Sequence, residues 1–230
     1  MRNYFIFDGQ SSLDYGVYIS GDRTFSAPER DISAVSVPGR SGDLLFDNGR
    51  YRNMDITYKC GIVRNFDTNL TGFRNMLLSR KTYARLEDTY HPDVFWLAYV
   101  ADAIAPAMLR NLRAGEFDIT FNRKPQQFLK SGENPVVIGS IFNPTLFEAM
   151  PLMRVYGTGT MTINGTVMTV TGSQAYMDID FETQNAYSGS TNLNGRLTVT
   201  GYAFPKLMPG QNTIVLSGLS GTMIPRWYTL

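Results

Sequence analysis

Hydrophobic and polar residues alternate with a period of two along much of this chain, the spacing expected when successive side chains face opposite sides of a strand. The alternation is clearest in residues 152–156, 159–163, 167–170 and 176–181, each run bounded by Gly or Asn. Asn164-Gly165 stands between two of these runs. Both residues tolerate the positive φ of a type I′ turn, so the pair predicts a two-residue hairpin. Residues 196–200, 212–216 and 222–228 continue the pattern. Short strands at regular spacing, without a competing helical period, predict an antiparallel β-sandwich.

The first part of the chain is less uniform. Residues 16–19, 55–60 and 117–121 read as strands around one helix over residues 69–80, where Leu70, Phe73 and Leu77 share a face. Asp67 or Thr68 suits the start of that helix, and Arg80-Lys81 suits the negative end of its dipole. Residues 83–88 and 94–100 flank the turn Tyr90-His91-Pro92-Asp93 and read as an antiparallel hairpin. The second of these strands is apolar on both faces, so it is either a central strand or an arm buried against another subunit. Phe95, Trp96, Leu97 and Tyr99 are the candidate interface residues on that arm.

Composition adds a division that periodicity does not show. The chain has 230 residues, 43% hydrophobic and 18% charged, enough to bury a core. Residues 1–130 carry 17 basic and 15 acidic side chains, whereas residues 131–230 carry only 4 and 5. The change near Ser131-Gly132-Glu133-Asn134-Pro135 predicts two domains, 1–130 and 131–230. An aromatic fraction of 13% favours sheets and interfaces.

Charge and cysteine usage narrow the function classes. A net charge of +1 gives no general attraction to nucleic acid or to an anionic membrane. One cysteine, Cys60, and one histidine, His91, allow no intrachain disulfide and make a poor set of soft metal ligands. No apolar run is long enough to span a bilayer, and Asp8 interrupts any secretory-type segment, so a soluble chain made inside the cell is expected.

Candidate chemistry is sparse. Asp178, Asp180 and Glu182 fall on one face of a strand, as paired carboxylates, an oxygen-rich cation site or a solvated polar face would. His91 has no nucleophile motif near it, and Cys60 sits inside a strand pattern as a small buried hydrophobe would. Gly39, Gly42 and Gly49 match no phosphate-binding loop and read as turn residues, while Arg40, Arg50 and Arg52 among them can join acids across subunits. No catalytic residue, metal site or cofactor is assigned.

The order of several segments is more specific than any one of them. Tyr4-Phe5-Ile6-Phe7-Asp8-Gly9 leads through Ser12, Asp14 and Gly16 into a strand. Phe25-Ser26-Ala27-Pro28-Glu29-Arg30-Asp31 and Val37-Pro38-Gly39-Arg40-Ser41-Gly42-Asp43 follow, then 179–187, 204–212 and finally Ile224-Pro225-Arg226-Trp227. This series resembles the distal tail proteins of long non-contractile-tailed bacteriophages. The resemblance implies a mainly β protein: an amino-terminal ring-forming domain with one helix and a β-hairpin arm, then a galectin-like antiparallel β-sandwich. It implies a homohexameric ring at the distal end of the virion's tail, with Arg40 and Arg50 orienting neighbours. Its partners would be the tail tube protein, a tail-tip or tail-associated protein and receptor-binding proteins, without nucleic-acid-specific contact or membrane insertion. The alternative is a host-surface carbohydrate-binding module that uses Tyr176, Tyr187 and Tyr202 as aromatic platforms.

Overall fold

The computed structural model describes residues 2–22, 26–62, 66–100, 102, 107–109, 114–172, 174–201 and 203–230. The chain is mainly β with one α-helix, and it divides into two compact units, Met1–Gln127 with Leu230, and Phe128–Thr229.

The first unit contains β1 (Phe5–Phe7), β2 (Gln10–Ser11), β3 (Val17–Ile19), β4 (Arg30–Val35), β5 (Leu44–Tyr51) and β6 (Met54–Ile62). After α1 (Phe66–Leu78) come β7 (Ala84–Asp88), β8 (Val94–Tyr99), β9 (Ala107–Leu109) and β10 (Ala114–Arg123). The main sheet runs β2-β1-β7-β8-β10-β6-β3, with β9 beside β10. A bridge between Asn3 and Ile19 joins the start of the chain to β3, so the sheet curls back on itself.

Aromatic rings fill the space inside that curl. The Phe121 ring lies 5.2 Å from those of Phe5 and Phe7, and Phe5 stacks on Tyr58 at 5.6 Å. Helix α1 covers this core with Phe66, Leu70, Phe73, Met76 and Leu77, all buried. It begins three residues before the expected start because Phe66 extends the same apolar face by one turn. It ends at Leu78, and Arg80 pairs with Asp8 instead of interacting with the helix end.

The predicted hairpin at residues 83–100 forms as β7 and β8, but it is not an arm. Strand β8 lies between β7 and β10, and Trp96, 1% exposed, is part of the aromatic core. Burial within its own chain accounts for the apolar character of this strand. The chain does have a hairpin outside its main sheet, formed by β4 and β5, whose strands pair only with each other among the described residues.

The second unit contains all but the first residue of β11 (Gln127–Leu129), then β12 (Val136–Val137), β13 (Ile141–Asn143), β14 (Leu152–Ile163), β15 (Thr166–Val170) and β16 (Met177–Asp180). It continues with β17 (Asn185–Ser188), β18 (Thr191–Asn192), β19 (Leu197–Val199), β20 (Gly210–Asn212), β21 (Ile214–Ile224) and β22 (Tyr228–Thr229). Its main sheet runs β12-β21-β14-β16-β17-β18, with β15 and β19 attached through β14; β13 and β20 make a separate pair. The Asn164-Gly165 turn forms as expected, with φ of 49° and 90°.

Residues 152–156 and 159–163 are one strand rather than two, because β14 crosses a bulge between Gly157 and Thr160 without leaving its partner β21. Glycine is required there: a Cβ on Gly159 would lie 2.0 Å from the Ser217 carbonyl oxygen. Inward-facing Met153, Met161, Met168, Met177 and Met223 are all buried and build much of the core. Flexible thioether chains fill the irregular space beneath a bent sheet better than branched residues do.

Candidate functional site

The β4–β5 hairpin is the part of the first unit whose apolar side chains have no core to enter. Directly opposed residues share a face in an antiparallel pair. The register therefore places Val35, Leu44 and Phe46 on one face with Ser33, and Ile32, Ala34 and Leu45 on the other with Asp47. Leu45 is 64% exposed and Phe46 53%, and Ile32, Val35 and Leu44 are also exposed. Both faces are thus apolar and open, an arrangement that marks an interaction surface.

Charged groups hold the root of this hairpin. A bulge between Arg30 and Ile32 sets Asp31 where its carboxylate accepts from Arg50 Nε at 2.6 Å and from Arg52 Nη2 at 3.0 Å. These hydrogen bonds hold the Asp31 carboxyl below the usual carboxylate range. Arg30 lies 3.6 Å from Asp47 and 5.9 Å over the Tyr51 ring. At the tip, the Arg40 amide donates to the Val37 carbonyl at 3.1 Å, while Gly39 and Gly42 both have φ of 81°. The turn reading of these glycines is therefore their structural role.

The six interface candidates separate into three groups. Arg40 and Arg50 are on the exposed hairpin. Leu97 and Tyr99 are half-buried on β8, with Tyr99 edge-on to Tyr83 at 5.3 Å. Phe95 and Trp96 are buried in the chain's own fold, Phe95 beneath the Arg85 guanidinium at 3.8 Å. Sequence reasoning missed Ile32, Val35, Leu44, Leu45 and Phe46. Their signal was present, as an alternating run before the Pro38-Gly39 turn and a Leu-Leu-Phe run after it.

The remaining candidates have structural partners. His91 Nδ1 lies 3.0 Å from Asp88, a buried carboxylate that also accepts from the Tyr58 hydroxyl at 2.6 Å and the His91 amide at 2.7 Å. Burial pushes the Cys60 thiol up to about 12 and the Arg123 guanidinium down to about 10. Each acid in the 178–182 line faces an arginine. Arg154 bonds Asp178 through Nε at 2.7 Å and Nη2 at 2.8 Å; Arg226 reaches Asp180 at 2.8 Å and Glu182 at 3.7 Å. Tyr176 lies under the Arg154 guanidinium at 4.5 Å, Tyr187 pairs across from Asp178, and Tyr202 lies outside the described residues. Among the described residues, no helix is long and apolar enough to cross a membrane.

No protein-family model matches the chain, and no curated protein matches it. The Dit protein of phage SPP1, a paradigm of hub adsorption apparatus in phages that infect Gram-positive bacteria, superposes with a TM-score of 0.75 over 100% of both chains, at 12% identity. The chain has the Dit fold. Chains of the phage P2 baseplate in its activated conformation match at TM-scores of 0.55 with calcium and 0.53 with strontium. Their identities are 14% and 13%, with 97% of each chain covered. At such low identity the likeness is one of fold and not of shared side chains.

Proposed function

We propose that this protein is a structural component of a phage tail, a ring-forming hub at the distal end that connects the tail tube to the tip and scaffolds baseplate or receptor-binding proteins. The observation that carries the reading is likeness to SPP1 Dit along the whole of both chains. The β4–β5 hairpin supplies a means of assembly, with apolar side chains on both faces and a root held by Asp31, Arg50 and Arg52. In this reading the first unit forms a homohexameric ring through that hairpin, Arg40 and Arg50 orient neighbours, and the second unit is a galectin-like sandwich. The work is assembly rather than turnover.

The test is the mass and symmetry of the purified protein. Light scattering gives a hexamer mass and negative-stain class averages show sixfold rings. A chain that stays monomeric at every concentration, without rings, overturns the reading.

A further inference from the structure

The hub reading leaves unused the outer face of the second unit's main sheet. Its inner face is closed by the methionine core, and its outer face carries an ordered row. The register places Thr222 of β21, Arg154 of β14, Asp178 of β16, Tyr187 of β17 and Asn192 of β18 opposite one another in turn. Neighbouring strands lie about 4.8 Å apart, so the five positions span about 19 Å.

Beside this row is a cleft of about 210 Å³ lined by Pro135, Leu152, Arg154, Asp178, Thr222 and Ile224. Its lining combines apolar Pro135, Leu152 and Ile224 with polar Arg154, Asp178 and Thr222. Asp178 engages Arg154 through Nε and Nη2, which leaves the Nη1 edge of a guanidinium that is 48% exposed. The Thr222 hydroxyl is exposed on one side of that guanidinium, and the half-buried Tyr187 phenol is on the far side of Asp178. At neutral pH that phenol is protonated and can both donate and accept a hydrogen bond, and burial with the carboxylates of Asp178 and Asp180 raises its pKa further.

We infer that this cleft and row bind a neutral oligosaccharide. A pyranose ring has apolar C–H faces and a rim of hydroxyl groups that both donate and accept. It therefore needs apolar side chains beside fixed planar donors and acceptors, the combination that lines this cleft. The ion pairs set the charge class. Arg154 is matched by Asp178, and Arg226 by Asp180 and Glu182, so the row offers no surplus positive charge to a phosphate, sulfate or uronate. The length of the row suits a chain of several sugars, with one ring in the cleft.

The experiment uses the full-length protein, titrated by calorimetry and saturation-transfer NMR with maltotriose, cellotriose and chitotriose, with a sulfated heparin tetrasaccharide for comparison. At least one neutral trisaccharide binds saturably, and the heparin fragment binds more weakly. Thr222→Val and Tyr187→Phe each remove one hydroxyl and keep the side-chain shape; combined, they weaken binding about tenfold, as expected for hydrogen bonds of this kind. Circular dichroism and the ring mass remain unchanged, which separates loss of this site from failure of the hub reading. Absence of binding by every neutral sugar, binding indifferent to the two substitutions, or tighter binding of the sulfated fragment overturns the inference. Loss of a co-expressed tail protein from the double variant, with no sugar binding by the parent, would also overturn it and make the face a protein-docking surface.

Discussion

Arg50 donates from Nε to the Asp31 carboxylate at 2.6 Å across the root of the β4–β5 hairpin, and Arg52 joins the same carboxylate at 3.0 Å. The Asp31 carboxyl consequently titrates below its unfolded value. A group shifted in this direction contributes stability above its unfolded pKa, and the contribution is lost as pH falls through the folded pKa. The hairpin should thus keep its geometry from neutral pH down to about pH 5 and loosen only below the ordinary aspartate value of about 3.9. Carboxyl-carbon NMR of Asp31 checks this, and a midpoint at or above the ordinary value would contradict it. Asp31→Asn should weaken hairpin order at neutral pH and abolish its acid dependence.

Substitutions at the hairpin and in β8 should have different effects. Leu45→Asp and Phe46→Asp place charge on exposed positions, so the subunit should keep its thermal midpoint while ring mass falls. Trp96→Ala empties part of the aromatic core and should cost about 3–5 kcal/mol in denaturant unfolding. Rings that survive both aspartate substitutions would show that assembly uses another surface.

Gly159→Ala should destabilise the second unit by more than about 1 kcal/mol, because φ is +152° there and the new methyl would lie 2.0 Å from the Ser217 oxygen. Urea unfolding followed by tryptophan fluorescence in a Trp96→Phe background, which leaves Trp227 as the sole emitter, reports this unit. Gly165→Ala has open space at its Cβ and a φ of 90°, so it should show backbone strain without a clash and a smaller loss.

Tyr58→Phe removes the hydroxyl that donates to buried Asp88 at 2.6 Å and should cost about 1–2 kcal/mol. His91 and its amide still hold the carboxylate, so the fold should persist, and a loss near zero in thermal unfolding would show that the hydroxyl is dispensable.

With its thiol pushed up to about 12 by burial, Cys60 should resist alkylation by iodoacetamide at pH 8 in the folded protein. Mass spectrometry should find it fully labelled after unfolding in guanidinium. Rapid labelling of the native protein would show that β6 opens readily.

Local rules made much of this fold legible. Asn164-Gly165 specified its hairpin because two positive φ values admit few other residues. Leu70, Phe73 and Leu77 specified the helix face, although not its first turn. Burial of Trp96 was less accessible, since an apolar strand looks the same whether its own chain or a neighbour covers it. The β4–β5 hairpin was hidden differently: Pro38, Gly39 and Gly42 signalled a turn, while interspersed arginines and aspartates masked the alternation on either side. The carboxylates of Asp178 and Asp180 were placed correctly on a strand, but the arginines that neutralise them, Arg154 and Arg226, come from distant positions no spacing rule connects.

In the hub reading, the two open faces of the hairpin also govern the fate of a chain that has not yet met its neighbours. Leu44-Leu45-Phe46 is a short, sticky β segment, and such segments seed aggregation when left uncovered. Arg30, Asp31, Asp47 and Arg50 flank it as gatekeepers, keeping charge close to the segment without blunting it. On the proposed ring assembly, solubility of the free chain is a contest between capture by a second copy and off-pathway clumping, and dilute, low-temperature expression should favour the first outcome.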